Sequence, residues 1–284
     1  MIEERNISIA CNDLAGGGRA VALGKRIAGE LQNRNINHTI YIEDWPDNFK
    51  QFTDVWIVGG DGTLNYFINK YPGIRLPLVI FNGGTENDVY SLLYKTKSFD
   101  EQLQVALTAT PRAIDAGKCN EKYFINGVGI GFEGAVAKSL TGKRKTRPGK
   151  AAFIGTILQK VFFYSSKKYK TISEECNTED QQLLISVMNG HRAGGGFHIA
   201  PSSAIDDGLL DVIIVKKLHP LLRLRWLPVI EKGKHLDLPF IKFFRTRRLI
   251  ITSEQPMDAH LDGEYYSVKR LEIQILPSKY LFRY

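Results

Sequence analysis

A buried strand that runs directly into a glycine-rich turn is the feature that most limits what this sequence can fold into. Apolar residues 55–58 lead into the run Gly59-Gly60-Asp61-Gly62-Thr63-Leu64-Asn65, and a segment compatible with a helix follows. This order is typical of a parallel strand, a tight turn and a helix N-terminus. Because glycines let backbone N–H groups approach a ligand and a helix N-terminus favours anions, the turn predicts a phosphate-binding loop.

The carboxylate of Asp61 points to a cation at this loop. A carboxylate beside phosphates is repelled unless a cation lies between them, so the pairing of Asp61 with the glycines suggests a Mg²⁺-nucleotide site. The alternative is a plain strand-to-helix turn whose aspartate caps the helix. The sequence contains neither a G-x-x-x-x-G-K-[ST] motif nor a protein-kinase catalytic-loop signature, which disfavours those two classes of phosphoryl-transfer protein.

The size and charge of the chain set broad limits on its function. With 284 residues, of which 43% are hydrophobic, the sequence can form one large or two medium domains around a real core. The net charge of +8 predicts an anionic partner, which could be a nucleotide, a nucleic acid or an anionic membrane. The three widely spaced cysteines predict neither a disulfide framework nor a zinc site, and they fit a reducing cytoplasm. We expect a cytoplasmic protein without a signal peptide or a membrane-spanning segment.

Strands that alternate with helices as far as residue 118 predict a doubly wound α/β domain over residues 1–118, which residues 277–284 could rejoin. Two further polar turns follow strands there, at residues 12–18 and 82–88. Open α/β sheets bind ligands at the carboxyl ends of their strands, so the three turns are expected to be neighbours. Asp88 and Asp115 are expected to follow strands of the same sheet as Asp61, and helix caps or turn residues are the alternative for these two.

Three loops of this domain resemble those of known kinases. The GGDGT run with Asn65 resembles the nucleotide loop shared by diacylglycerol kinases, sphingosine kinases and NAD kinases. The lipid-kinase loop N-P-x-[AS]-G-x-G/K is matched, with Asp13 in place of proline, at Asn12, Ala15, Gly16 and Gly18. The loop P-x-G-T-x-N-D is matched, with Asn82-Gly83 in place of Pro-Leu, at Gly84, Thr85, Asn87 and Asp88.

After residue 118 the pattern changes to short alternating strands and turns, which predicts a β-rich, sandwich-like second domain over residues 119–276. Within it, the polar stretch 174–182 is expected to be an exposed hairpin or loop, and residues 272–276 are expected to form the last strand. Residues 126–133 match the lipid-kinase pattern N-x-x-x-x-G-F-[DE]. Residues 189–212 resemble N-G-x-x-x-G-G-G-x-x-x-x-P followed by [DN]-D-G-x-L-[DE], which NAD kinases do not carry. Asp262-Gly263-Glu264 matches the final motif x-D-G-E, and taken alone this run would be a plain hairpin turn. The G-x-G-x-x-G at residues 129–134 is not interpreted as a dinucleotide site, because no suitably placed acidic residue follows it.

The resemblance to bacterial diacylglycerol kinase-like lipid kinases spans nearly the whole chain, and it implies ATP- and Mg²⁺-dependent phosphorylation of a lipid hydroxyl, diacylglycerol-like or sphingoid. Carried over to this sequence, the residues that hold the nucleotide would be Asn12, Gly16, Gly59, Gly60, Asp61, Gly62, Thr63, Leu64, Asn65, Thr85 and Asn87. The carboxylates of Asp61, Asp88 and Asp115 would form a network that positions the nucleotide's Mg²⁺ through water molecules. A second, structural Mg²⁺ would be bound by Asp207 and the carbonyls of Ala204 and Leu209. The general base would be Asp262 or Glu264.

Two other functions stay open at this point, namely NAD phosphorylation and non-catalytic binding of a lipid or nucleotide. Helix 151–164, preceded by the basic run 143–147, and the basic and apolar stretch 216–248 suit peripheral contact with a membrane that holds the lipid substrate. Packing of amphipathic helices on a sheet is the alternative for both. No nucleic-acid-binding module is readable, so no nucleic-acid partner is expected. A homodimer remains open, and the sequence does not name the lipid.

Overall fold

The fold is that of a computed structural model, which describes residues 5–85, 87–141, 150–194 and 196–284. Met1–Asp115 and Pro277–Tyr284 form one compact unit, and Ala116–Leu276 forms a second. The sequence placed this boundary after residue 118. The basic run 143–147, and Gly195 of the long glycine-rich pattern, lie outside the described residues.

The first unit alternates strands with helices. A 3₁₀ turn, Ala15–Gly17, separates its first strand from its first helix. Its elements are β1 (Asn6–Cys11), α1 (Arg19–Asn33), β2 (Asn37–Ile42), β3 (Asp54–Gly59), α2 (Asp61–Lys70), β4 (Leu78–Asn82), α3 (Asp88–Tyr94), α4 (Phe99–Thr108) and β5 (Arg112–Cys119), which continues into the second unit.

A parallel sheet forms the centre of the first unit. β2 pairs with β1, β1 with β3, and β3 with β4, all in parallel, and Phe282 of the last strand of the chain pairs in parallel with Leu78. Every residue of β3 is buried, because helices cover parallel sheets on their faces, and this explains its continuous apolar run. The α/β prediction is confirmed, and the loops after β1, β3 and β4 leave the same edge of the sheet.

A buried ion pair fastens residues 277–284 to this sheet. Arg283 donates from Nε to Oδ1 of Asp54 over 2.6 Å and from a terminal nitrogen to the carbonyl oxygen of Ala109 over 2.6 Å. The side chain of Asp54 is only 1% exposed and that of Arg283 13%. Both side chains are largely shielded from water, so loss of one partner would leave the other charge neither paired nor hydrated.

Arg283→Ala is expected to lower the free energy of unfolding by about 3 kcal/mol, because it leaves the buried carboxylate of Asp54 without its positive partner. The matched control is Arg248→Ala, which breaks an exposed pair with Glu272 and should cost less than about 1 kcal/mol. Calorimetric melting of the wild type and the two variants measures the difference in stability between them. Equal melting temperatures for the two variants would contradict the assignment of this pair to the stability of the first unit.

The second unit consists mainly of strands. Its elements are β6 (Lys122–Phe124), β7 (Gly127–Gly131), α5 (Phe132–Thr141), α6 (Lys150–Phe163), β8 (Lys167–Ile172), β9 (Asn177–Met188), β10 (Leu210–Lys216), α7 (Pro220–Glu231), β11 (Ile241–Thr246), β12 (Arg248–Leu261) and β13 (Glu264–Phe282), whose last residues belong to the first unit.

Antiparallel pairing organises this unit. β11, β10, β9, β7, β12 and β13 are hydrogen-bonded in that order, while β8 pairs with both β9 and β12. Alternate residues of these strands, such as Ile185, Val187, Ile251 and Ile273, point into one apolar cluster. Period-two alternation of apolar residues produces this arrangement, because successive side chains of a strand face opposite sides. The prediction of a β-rich second domain is confirmed.

Two details of the sequence interpretation need correction. β13 is one strand of 19 residues, whereas the sequence suggested a strand at 272–276 and a separate tail. The hairpin alternative for the polar stretch 174–182 is confirmed, because this stretch contains the turn after β8 and the beginning of β9, which pairs with β8 in antiparallel fashion. Asp115 lies within β5 and does not follow a strand. In the described parts of the chain, no helix is both long and apolar enough to cross a membrane.

Candidate functional site

Three polar loops of the first unit meet beside the start of α2. The guanidinium of Arg19 donates hydrogen bonds to the carbonyl oxygens of Gly16 and Gly84, each over 3.0 Å. The N–H of Gly83 donates to the carbonyl oxygen of Gly59 over 3.0 Å. The loops after β1, β3 and β4 are therefore neighbours, as expected for the carboxyl ends of adjacent parallel strands.

The helix α2 begins inside the run that the sequence presented as a loop. Gly60 precedes the helix in an extended conformation, and its carbonyl oxygen accepts the N–H groups of Thr63 and Leu64 over 2.9 and 3.1 Å. Asp61 to Asn65 thus form the first helical turn. Gly60 has no side chain to cap this end, and uncapped N–H groups at a helix N-terminus are suited to an anion.

The other residues predicted to bind the nucleotide differ in which of their groups a ligand could reach. The side-chain amide of Asn12 donates to Oγ1 of Thr63 over 2.9 Å and so ties the first loop to α2. Thr85 is exposed, whereas the side chain of Leu64 is in the core, which leaves only its backbone for a ligand. Oδ1 of Asn87 is buried and accepts no hydrogen bond from the residues that the structure describes.

The carboxylate of Asp61 is held by the N-terminus of α3. Its Oδ2 accepts the N–H of Asp88 over 2.7 Å and its Oδ1 accepts the N–H of Val89 over 3.1 Å. Asp61 is 7% exposed. It therefore caps α3, and not its own helix α2 as the plain-turn alternative supposed. These two hydrogen bonds fix the carboxylate between the second and third polar loops.

Asp115 has a different partner from Asp61. Its Oδ1 accepts the N–H of Ser278 over 2.7 Å, which attaches residues 277–284 to β5. Within the described residues, no three or more His, Cys, Asp or Glu side chains are close enough to hold a metal ion together. Asp61, Asp88 and Asp115 thus form no direct ligand cluster, and the water-mediated network that the resemblance implies stays a prediction.

In the second unit, Asp262 and Gly263 form the two-residue turn between β12 and β13. Their φ values of 46° and 85° fit a type I′ hairpin turn. The carboxylate of Asp262 accepts three backbone N–H groups, all within 3.0 Å, from Ile125, Asn126 and Gly127. These bonds hold the carboxylate in one orientation and join the turn to the start of β7. Glu264 follows as the first residue of β13.

A glutamate and a histidine that the site prediction did not include lie beside this turn. Nδ1 of His260 accepts the N–H of Gly263 over 3.2 Å, so in the neutral ring Nε2 carries the proton. That Nε2 lies 3.5 Å from Oε2 of Glu133, while Oε1 of Glu133 accepts the hydroxyl of Ser186 over 2.5 Å. Glu133 therefore lies beside the histidine that accepts a hydrogen bond from the turn, although Oε2 of Glu133 itself has no hydrogen-bond partner among the described residues.

Strand register explains how these residues meet. Gly129 of β7 lies opposite Ser186 of β9 on one side and opposite His260 of β12 on the other. A methyl group added to Gly129 would lie 2.0 Å from Oε2 of Glu133. The absent side chain of Gly129 thus makes the space that Glu133 enters. The sequence signals were Glu133 itself, at the last position of the pattern matched by residues 126–133, and Gly129 of the G-x-G-x-x-G run. The strand partners of Gly129 lie more than 50 residues away.

Charges cluster around Asp258, four residues before the turn. Its carboxylate accepts hydrogen bonds from the Tyr265 hydroxyl over 2.8 Å and from Nζ of Lys138 over 3.0 Å, and Nζ of Lys167 lies 3.6 Å away. Burial by itself would raise the pKa of the Asp258 carboxyl, but these hydrogen bonds outweigh it and the pKa is lowered. Asp258 therefore keeps its negative charge and orders the two strands that flank the turn.

The loop that was predicted to bind a structural Mg²⁺, around Asp207, ends next to the buried carboxylate of Asp211. Burial raises the pKa of the Asp211 carboxyl, although Arg245 opposes this by donating to it over 2.8 Å. Arg245 also donates to the carbonyl oxygen of Ser202 over 2.7 Å, which anchors the preceding loop. Oδ1 of Asp207, an exposed residue, accepts the N–H of Leu209 over 3.0 Å. The role of Ala204, Asp207 and Leu209 as metal ligands stays a prediction.

Two family models together match most of the chain. A model described as the diacylglycerol kinase catalytic domain matches residues 7–119. A model described as the YegS C-terminal NAD kinase beta sandwich-like domain matches residues 126–281. The first match contains all three polar loops beside α2, and the second contains Glu133 and the turn at Asp262.

Curated relatives carry consistent names. A Pseudomonas syringae pv. syringae protein named "Probable lipid kinase YegS-like" is 30% identical, over 77% of this chain and 72% of its own length. A protein of the same name from Shewanella frigidimarina is 28% identical, over 80% and 75%. A Bacillus subtilis protein named "Diacylglycerol kinase" is 26% identical, over 76% and 72%.

Solved structures share the fold. One from Bacillus anthracis str. Sterne has a TM-score of 0.80 at 23% identity and covers 99% of this chain and 95% of its own. Another from the same strain, described as a diacylglycerol kinase, has a TM-score of 0.75 at 19% identity and covers 100% and 98%. At such identities the likeness concerns the fold alone.

Proposed function

Because the chain belongs to the family of YegS-like and diacylglycerol kinase lipid kinases, we propose that it transfers the γ-phosphoryl group of ATP, with Mg²⁺, to the hydroxyl of a lipid. The observation that carries the proposal is the convergence of three polar loops on the uncapped start of α2, beside the carboxylate of Asp61. Phosphoryl transfer depends mainly on positioning and charge stabilisation, which such a set of N–H groups and oxygens supplies.

The residues of the first unit suit a Mg²⁺-nucleotide. Backbone N–H groups at Gly60 to Gly62 would bind phosphate oxygens, and the buried Oδ1 of Asn87, which accepts no hydrogen bond from the described residues, faces Gly84 in the same loops. The carboxylate of Asp61 would face the Mg²⁺ of the Mg²⁺-nucleotide, because the two backbone N–H groups that it accepts fix its orientation. When bound, Mg²⁺ would neutralise phosphate charge and orient the transferred group.

Gly84→Ala is expected to weaken the binding of Mg-ATP at least tenfold. A methyl group at Gly84 would lie 2.3 Å from Cα of Gly60, so the third loop would have to move away from α2. Gly73→Ala is the matched control, since nothing lies within 4 Å of a methyl group there and affinity should be unchanged. Titration calorimetry gives both affinities. Wild-type affinity in Gly84→Ala would contradict the placement of the nucleotide at these loops.

The turn at Asp262 and Glu264 is proposed to activate the acceptor. A hydroxyl becomes a nucleophile when a carboxylate within hydrogen-bond distance takes its proton, and both residues are acidic. Asp262 is the more rigid of the two, because its three backbone donors define its position. His260 would act as a positioning residue, since its Nδ1 accepts the N–H of Gly263 of the same turn. Glu133 would act through His260, since its Oε2 lies 3.5 Å from Nε2 of that histidine.

Glu133→Gln is expected to lower kcat about tenfold without changing KM for ATP. The amide of glutamine would place N–H groups against the protonated Nε2 of His260, which loosens the turn. Glu133→Asp should recover part of the activity, and the exposed Glu175→Gln serves as the control. Steady-state kinetics with both substrates provides the test. An equal effect on the KM for ATP would indicate general unfolding and not positioning of the turn.

The lipid acceptor makes an anionic membrane surface the natural partner. A net charge of +8 favours attraction to anionic headgroups, so we propose a protein that works at the cytoplasmic face of a membrane and contacts it peripherally. NAD is the second candidate acceptor, because the description of the model matched by the second unit compares its β-sandwich with that of NAD kinase.

The deciding experiment measures phosphate transfer from radiolabelled ATP, with Mg²⁺, to a panel of lipids in mixed micelles, with NAD as the soluble acceptor. The expected result is label in one lipid class, such as diacylglycerol or a sphingoid base, and none in NADP. Label in NADP alone would replace the lipid by NAD. Nucleotide binding without any transfer would favour a sensor and overturn the kinase proposal.

A further inference from the structure

Exposed apolar side chains are concentrated on two helices of the second unit. Of the nine large apolar side chains that are exposed among the described residues, six lie on α6 or α7. The most exposed of these are Phe163, at 80%, and Leu221, at 64%. We call the apolar tip the five that lie at the end of α6 and the start of α7, namely Phe162, Phe163, Leu221, Leu222 and Leu224.

A buried arginine joins the two halves of the apolar tip. Arg223, 8% exposed, donates to the carbonyl oxygens of Val161 and Tyr164 over 3.0 and 2.7 Å, and to that of Leu218 over 2.9 Å. These bonds fix the first turn of α7 against the last turn of α6. The apolar side chains on either side of Arg223 are therefore presented as one rigid surface and not as two independent loops.

Strand register brings positive charges to the same end of the unit. Lys167, just after α6, lies opposite Gln182 of β9, which lies opposite Lys216, just before α7. Lys167 is near Asp258 and Lys168 pairs with Glu179, so these two charges are partly compensated. Four more cations lie on the same two segments and form no ion pair among the described residues; we call them the basic rim, namely Lys160, Lys216, Lys217 and Arg225.

The sequence keeps negative charge away from this surface. Residues 155–173 and residues 212–230 contain no Asp or Glu. An apolar centre with unpaired cations around it matches the interface of an anionic bilayer, where rings and aliphatic side chains enter the headgroup layer and Lys and Arg contact the headgroups. A second copy of the chain is the poorer match, because two basic rims would face each other.

We propose that the apolar tip and the basic rim form the surface by which this protein docks on anionic lipid bilayers. The inference rests on the proposed function, since a lipid kinase must reach an acceptor that stays in the bilayer. Insertion of the tip would hold the second unit at the membrane, and the rim would select anionic lipid. It assigns a task to the five exposed residues of the apolar tip, which catalysis does not use.

Phe163→Ser/Leu221→Ser is the variant that tests the surface, because both side chains are solvent-exposed and their loss should leave the melting temperature unchanged. Sedimentation with vesicles of phosphatidylglycerol and phosphatidylcholine measures binding. We expect at least a tenfold loss of binding relative to wild type. Ile172→Thr is the matched control, an apolar residue 38% exposed outside the tip, and should bind as wild type does. Lys216→Gln/Lys217→Gln should abolish the preference over pure phosphatidylcholine vesicles.

Activity separates this inference from the proposed function. The Phe163→Ser/Leu221→Ser variant should lose activity on lipid in vesicles but keep it on a short-chain, water-soluble diacylglycerol. If wild type binds vesicles through the tip but phosphorylates no lipid, the docking surface stands and the kinase proposal fails. Unchanged vesicle binding in the variant overturns the docking surface, whether or not the lipid is phosphorylated. A dimer that the same substitutions dissociate, with vesicle binding unchanged, would assign the tip to self-association instead.

Discussion

Asp262→Asn is expected to lower kcat for lipid phosphorylation at least about 100-fold, the range that loss of a general base produces. The effect is expected whichever carboxylate of the turn takes the proton. If Asp262 is the base, the amide cannot accept the proton. If Glu264 is the base, Asp262 still holds its turn through three backbone donors, and an asparagine has only one oxygen to accept them. The same loss should lower the free energy of unfolding by about 1–3 kcal/mol.

Glu264→Gln then identifies the base, because this substitution leaves the three backbone hydrogen bonds of the Asp262 carboxylate in place. A 100-fold fall in kcat at wild-type stability would assign the proton transfer to Glu264, and near wild-type turnover would assign it to Asp262. Rapid-quench measurement of a single turnover isolates the chemical step from product release. An Asp262→Asn protein that retains full turnover would remove this turn from the reaction altogether.

Asp61→Ala is expected to abolish turnover, with a fall in kcat of at least about 100-fold, and to weaken the binding of Mg-ATP more than that of ATP without metal. The carboxylate would no longer face the cation that accompanies the phosphates. Because Asp61 also caps α3, the variant should lose about 1 kcal/mol of stability. Calorimetric titration with and without Mg²⁺, together with a melting curve, separates the two effects.

Asp88→Asn is the control for the cap, because the backbone N–H of residue 88 that Asp61 accepts is unchanged. The two hydrogen bonds by which Asp61 caps α3 stay in place, so a loss of activity in this variant does not result from loss of that cap and reports on the metal network. If Asp61→Ala loses stability but keeps its kcat and its Mg²⁺-dependent affinity, Asp61 is a helix cap and nothing more.

Local patterns were enough to predict the class of both units and the meeting of the three polar loops. The apolar run before Gly59 identifies a buried parallel strand, and parallel strands bring their carboxyl ends to one edge. That geometry needs no knowledge of individual contacts. The hairpin at Asp262-Gly263 was readable for a similar reason, because the two residues favour a turn with positive φ at both positions.

The contacts that the sequence could not predict join residues that lie far apart along the chain. The carboxylate of Asp61 meets α3, and that of Asp115 meets Ser278, 163 residues away. Glu133 reaches His260 only because Gly129 lies between two paired strands. Each contact follows from tertiary register, for which hydrophobic periodicity carries no information. The length of β13 was underestimated for a related reason, since its polar residues alternate with buried ones beyond the predicted end.

The division of the first unit between residues before 116 and residues after 276 has a consequence for biosynthesis. A ribosome makes the whole second unit before it makes Arg283, the residue that neutralises the buried Asp54. Domains that fold during synthesis begin with the segments that have emerged completely. The second unit, contiguous in sequence, can therefore fold while the first still lacks a strand. The first unit, which we propose binds the nucleotide, therefore becomes complete last, although most of its sequence is translated first.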